Sequence, residues 1–191
     1  KINKKNLIEK KCKSQFNEYL EYLKTKDMDI QDYVSIEKIN RNLLSENHLN
    51  ELIDYNKTFA KQNKAQALLT NGIQTSGNLF SLDYPFIQAM KKALEIKIEE
   101  YRQKFKHSSQ GFINNWPEFY ELKSWMISMR NGGFLKSHNH EYGWITGSFY
   151  LQIPKYNDAD NDSGDIAFSY QGPRYPNKDK NFNLTIKKIE T

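Results

Sequence analysis

Cysteine is nearly absent from this chain and histidine is scarce. Its 191 residues hold one cysteine and four histidines, and none of the histidines lies beyond His140. A single Cys12 cannot close an internal disulfide, which excludes a disulfide-stapled secreted scaffold and points to a reducing compartment. Cys12 also sits in a lysine-rich stretch without an assigned histidine partner, so nucleophilic catalysis is not expected there. No apolar run reaches the roughly 18 residues of a membrane span, and no signal-peptide core is present. A cytoplasmic protein with no membrane partner is the expectation.

The chain is otherwise long enough for one domain, or for one domain with a helical appendage, burying about two-thirds of its unfolded surface. Only 38% of the residues are hydrophobic, but aromatics reach 14%. Disordered chains are poor in aromatics, so a folded protein is expected. The net charge of +5 is concentrated at the start, in Lys1, Lys4, Lys5, Lys10, Lys11 and Lys13. Such a cluster reads as the solvated face of a helix. Nucleic-acid binding would want basic residues interleaved with aromatics or a reader motif, and neither is there. The chain opens on lysine rather than methionine, from which a cut at one end is expected.

Residues from about Asn6 to Leu23 have a loosely helical spacing of apolar positions, and Asp27 to Ile39 is unassigned. Ser45 reads as the N-cap of a helix from Glu46 to about Gln62, with Leu49, Leu52, Ile53, Asn56 and Phe59 as its buried stripe. Thr70 to Asn78 reads as an ordered polar loop with two glycines. Asp83 is placed as the cap of a second helix reaching about Phe105, with Pro85 in its first turn. Phe86, Ile87, Met90, Ala93, Leu94, Ile98 and Tyr101 make its stripe. After Trp116-Pro117 the period becomes alternating. Strands are expected over Leu122 to Arg130, Phe134 to His140, Trp144 to Ile153, Asp165 to Tyr170 and about Asn183 to Ile189, with a turn over Asn157 to Ser163. A helical first half and an antiparallel second half make an α+β protein, its helices buttressing a sheet or barrel.

His138-Asn139-His140 follows the glycine turn Asn131-Gly132-Gly133 and precedes the strand-like run Trp144 to Pro154. Side chains at i and i+2 of a strand share a face. At a rise of about 3.3 Å per residue the two backbones stand roughly 6–7 Å apart, so both imidazoles can close on one ion. Imidazole suits iron, zinc, copper or nickel, whereas magnesium and calcium want oxygen. The competing reading is a pair of exposed histidines on a strand edge. His48 and His107, in or at the ends of helices, have no pattern that recommends them as a third ligand. Asp158, Asp160 and Asp162 begin like a calcium loop, but Gly164 comes one residue late and Ser169 stands where glutamate is required, so a hairpin turn fits better. Tyr150 falls on the polar side of its strand, with Thr146, Ser148 and Gln152. Its hydroxyl could hold a carboxylate, or its ring could fill a barrel interior.

The stretch Trp125 to Tyr175, with MRNGGFLKSHNHEYGWITGSFYLQIP and then SGDIAFSYQGPRYP, resembles the Fe(II)- and 2-oxoglutarate-dependent oxygenases. It is most similar to a branch often found behind tetratricopeptide repeats in bacteria and phage-like proteins. The likeness rests on a Gly-Gly turn, an HxH, a Gly-Trp-Ile, a strand ending in proline and a short Gly-led strand closing near Gly-Pro. Asn71 to Phe80 and the helix after it share it, so it spans roughly Ser45 to Thr191. The resemblance implies N-terminal helices packed on an incomplete double-stranded β-helix, a jelly-roll or cupin-like barrel. It implies a helical extension over 1–44 and an oxygenase-like domain over 45–191, with helices in 45–106 and the barrel part in 120–191. It makes His138 the first iron ligand, and His140 the second, where most of the superfamily has Asp or Glu. It makes Tyr150 the residue that binds the distal carboxylate of 2-oxoglutarate. The family's third ligand and its 2-oxoglutarate arginine would both follow Thr191, and Arg174 comes too early to substitute. A hydroxylase of a protein side chain or a small molecule is thus expected, in a fragment inactive by itself. Two alternatives stay open: a cupin-type metal-binding domain, for which Gly132, His138 and His140 fit but the following glutamate is missing, and a non-catalytic interaction module on a degenerate barrel.

Overall fold

The computed structural model describes residues 34–59, 66–108, 110–153, 164–168, 185–187 and 189. The chain divides into a unit Lys1–Ser35, of which residues 34 and 35 are described, and a unit Ile36–Thr191. The expected helix at Asn6 to Leu23, Cys12, the basic cluster, the Asn157 to Ser163 turn and Arg174 lie outside the described residues.

Helix α1, Glu46–Phe59, starts where capping chemistry puts it. The Ser45 hydroxyl accepts from the His48 N–H at 3.3 Å, and the Ser45 carbonyl accepts from the Leu49 N–H at 3.1 Å. Leu44 and Leu49 stand just before the cap and four residues into the helix, and both pack into one core cluster. That is the pattern by which a hydrophobic staple fixes the entry of the chain.

Strand β1, Leu69–Gln74, and a 3-10 turn, Leu79–Ser81, lead into helix α2, Pro85–Phe105. The cap of α2 is Tyr84 rather than Asp83, and no side chain bonds to it. Pro85 at the first helical position explains the shift: it holds the residue before it in the extended region and brings no N–H needing an acceptor. The Gln88 side chain donates to the carbonyls of Phe80 and Leu82, at 3.3 and 2.7 Å, and ties the 3-10 turn to α2. The core is Leu44 and Leu52, Leu79 and Phe80, Ile87, Met90 and Ala93, and Met126. Leu52 and Ile87 are fully buried, each from its expected stripe.

A short helix α3, Gly111–Asn114, precedes strand β2, Ile127–Leu135, which pairs antiparallel with β1. Here the structure corrects the sequence reading twice. Thr70 to Gln74 is strand rather than loop, and Asn131-Gly132-Gly133 lies inside one strand rather than turning between two. Pairing runs from Gln74↔Ile127 to Gly72↔Met129 and resumes at Thr70↔Phe134 and Leu69↔Leu135. Asn71 alone therefore faces Arg130, Asn131, Gly132 and Gly133, a wide bulge. Asn71 and Gly132 take positive φ, 47° and 71°. A Cβ on Gly133 would stand 2.8 Å from the Arg130 carbonyl oxygen and 2.9 Å from the Met129 Cβ, so the bulge has no room for a side chain there.

The second sheet pairs β3, Ile166–Phe168, with β4, Thr185–Lys187, antiparallel. The described residues thus give an α+β protein with two separate two-stranded sheets, and do not form the barrel that the resemblance implies. Trp144 to Ile153 enters neither sheet, although Phe149 and Leu151 pack against the core while Tyr150 and Gln152 stay exposed. An alternating pattern decides which side chains are buried, not which backbone supplies the ladder.

Leu122 to Met126, expected as the start of a strand, runs beside Thr75–Leu79 without joining the sheet. Thr75 N–H donates to the Met126 carbonyl at 3.0 Å, and Met126 N–H donates to the Thr75 hydroxyl at 2.9 Å. Both residues are buried. Thr75→Val keeps the shape and removes that acceptor, leaving a buried N–H unpaired. It should destabilise the protein by about 1–3 kcal/mol, while Thr75→Ser, which keeps the hydroxyl, should cost less. Denaturant midpoints of the two variants check this.

Candidate metal-ligand pair

The strand that should carry both histidines ends early. Strand β2 stops at Leu135, and residues 136–140 follow without regular structure. What carries the chain onward is one hydrogen bond, from Lys136 N–H to the Leu68 carbonyl at 2.9 Å. The two imidazoles nevertheless meet: the ring centroids of His138 and His140 are 5.0 Å apart, edge to face at 79°. Both residues are half-buried.

His138 Nδ1 lies 2.8 Å from the Lys136 carbonyl oxygen. A carbonyl can only accept, so this contact puts the ring proton on Nδ1 and leaves the Nε2 lone pair free in the neutral ring. That arrangement is how metal-ligating histidines are oriented by groups behind them. A second ring packs on the other histidine, the Trp125 indole, 5.3 Å from His140 at 48°. Burial lowers the His140 pKa below its ordinary value, and the charge of His138 lowers it further. The loop beyond is pinned by Gly143 N–H to the His140 carbonyl, 2.9 Å, and by the Trp144 indole N–H to the Phe112 carbonyl, 2.8 Å.

Two nitrogen ligands at right angles, each about 2.1 Å from an ion, would hold their ring centres roughly 4.5–5 Å apart. The observed spacing fits two adjacent ligands of one transition-metal ion. Among the described residues no third His, Cys, Asp or Glu joins them. His48 lies in the first turn of α1 and His107 just past α2, and neither belongs to such a group. Tyr150 is exposed on the segment after the pair. A cavity of about 210 Å³ is lined by Tyr55, Leu82 and the Thr75–Leu79 segment, and includes neither histidine. No described helix is long and apolar enough to cross a membrane.

Sequence reasoning placed His138 and His140 together and missed both of their neighbours. The Lys136 carbonyl is backbone and leaves no trace in residue types. Trp125 stands fifteen positions before His140, at the head of the stretch that carries the resemblance, and nothing else marked it.

An imidazole pair of this kind on an α+β scaffold defines a candidate transition-metal protein. The comparison with family models narrows the class: residues 123–191 match the model of the family described as "Putative 2OG-Fe(II) oxygenase". The matched segment is about a third of the chain and contains Trp125, both histidines and Tyr150. No curated protein and no solved structure matches the chain.

The shift at His140 has a sign that can be tested. A histidine whose folded pKa is lowered contributes stability that is present above its unfolded value, about 6.5, and lost as the pH falls through the folded value. In an NMR titration the His140 ring should protonate below the usual histidine range. His138→Ala removes the neighbouring charge and should move the His140 midpoint upward. A midpoint that stays put would mean the rings do not sense each other.

Proposed function

We propose that this chain is part of an Fe(II)- and 2-oxoglutarate-dependent hydroxylase in which His138 and His140 are two of the iron ligands. The observation that carries the reading is the ring pair itself, 5.0 Å apart inside the family segment, with the His138 proton held away by the Lys136 carbonyl. Bound iron and 2-oxoglutarate would supply oxidative decarboxylation coupled to hydroxylation of a substrate. The chain's own part is to present neutral nitrogens and to orient them. Tyr150, an exposed residue within the alternating segment 144–153, is assigned to the distal carboxylate of 2-oxoglutarate. That segment is in turn assigned to a double-stranded β-helix, its partly buried residues Phe149 and Leu151 packed against the core. The domain is taken as 45–191, with 1–44 as an extension, and its substrate as a protein side chain or small molecule in the cytoplasm.

Among the described residues no third His, Cys, Asp or Glu joins the pair, and the chain alone is assigned no turnover. Calorimetric titration with anaerobic Fe(II), or with Mn(II) in its place, tests the reading. One ion should bind, His138→Ala should abolish binding, and Tyr150→Phe should spare the ion while weakening 2-oxoglutarate. Binding that survives His138→Ala, or no binding at all, would make the domain an interaction module. Ordinary succinate production by the chain alone would overturn the assignment of inactivity.

A further inference from the structure

Thr75 to Asn78, the end of the glycine-containing stretch noted in the sequence, has no part in the function proposed above. Its contacts give it one. Asn78 Oδ1 accepts from the Ser124 N–H at 2.9 Å, and the Leu79 N–H donates to the Ser124 carbonyl at 2.7 Å. On the other side, Met126 N–H donates to the Thr75 hydroxyl and Thr75 N–H to the Met126 carbonyl, at 2.9 and 3.0 Å. The Asn78 amide also donates to the Leu122 carbonyl at 3.0 Å. Four hydrogen bonds thus flank one residue, Trp125, and its indole is the ring that packs on His140. Among the described residues the His140 ring meets two others, those of His138 and Trp125.

His138 and His140 are therefore held by different means. The first is aimed by a hydrogen bond to backbone, the second by a packed ring. A half-exposed imidazole outside regular structure has several staggered rotamers open to it, and each one removed before binding lowers the entropy lost on binding. A wall fixed by backbone bonds at both flanks can remove rotamers in a way that a loose side chain cannot.

We propose that Trp125 is a positioning residue for His140, and that the Thr75–Asn78 loop fixes the backbone of Trp125 so that the indole holds the imidazole facing the ion shared with His138. The proposal rests on the metal-site reading above. Two readouts on the full 191-residue chain test it. In the metal-free protein, NMR should find the His140 ring protons shifted by the indole ring current. Trp125→Ala should move those resonances and leave those of His48 and His107 in place; unmoved His140 resonances overturn the proposal. Co(II) titration followed by visible absorption is the second readout. Trp125→Ala should weaken Co(II) binding about tenfold, the scale on which groups behind a ligand act, at a temperature where thermal melts show the variant folded. Trp125→Phe, which keeps a ring on the same backbone and is the safer fold, should recover most of the affinity. If His138→Ala abolishes Co(II) binding while Trp125→Ala and Trp125→Phe bind as the wild type does, the positioning role alone falls. If His138→Ala binds Co(II) as well as the wild type does, the metal-site reading falls and the positioning role with it.

Discussion

The reciprocal hydrogen bonds between Thr75 and Met126 are the joint on which the rest of this structure hangs. Both residues are buried, and Met126 is itself part of the hydrophobic core. In so dry a place a hydrogen bond is strong, and its loss strands a polar group away from water. The joint fastens the second half of the chain to the helical first half. On one side are Leu79 and Phe80, packed with Ile87 and Met90 of α2 and Leu52 of α1. On the other is the backbone that continues into β2. A two-stranded ribbon such as β1–β2 is marginal by itself, and Met129 and Phe134 on β2 are exposed. The rigidity of the ribbon has to come from the core, and this joint, with the bonds of Asn78 and Leu79 to Ser124 beside it, links the two.

The ribbon passes that rigidity forward despite its bulge. Across from Asn71 the strand β2 spends four residues, then recovers its register at Phe134 and Leu135. Gly132 meets the backbone angle and Gly133 the lack of room, so the two glycines do different things. The last backbone bond along this edge belongs to Lys136, whose N–H reaches Leu68. The same residue offers its carbonyl to His138. Where the pairing ends, the orientation of the first histidine begins, on one peptide unit apart. No strand is needed under the histidines for them to converge.

This explains what could and could not be read from the residues in order. The helices were legible because their signals are local: Ser45 caps α1, Pro85 opens α2, and Leu52 and Ile87 fall on apolar stripes of helical period. Placing the cap at Asp83 failed because the aspartate's capping preference was weighed above the constraint a proline puts on its predecessor. The strand at Leu69–Gln74 was missed because Asn71 and Gly72 are poor strand formers by propensity. Their place is decided by pairing with β2 through a bulge, which is a tertiary fact. The segment 144–153 failed in the opposite direction, having strand-like alternation and no place in either sheet. The histidine pair was found by spacing, but for a partly mistaken reason: the two rings meet across an irregular segment that a hydrogen bond, a turn and an indole hold in shape.

The chemistry of the pair follows from its charges as much as from its geometry. Two imidazolium ions at this distance repel, and the burial that lowers the His140 pKa adds to the penalty. His140 is thereby biased toward its neutral form, with a lone pair available. A single divalent ion shared by two lone pairs suits that preference better than two protons do. In the proposed site the cost of its charge would remain, because neither histidine brings a negative charge. If the two histidines hold an ion as proposed, the counter-charge would have to come from another group on it. Under the proposed function an anionic chelating co-substrate would meet that requirement, whereas a neutral one would not.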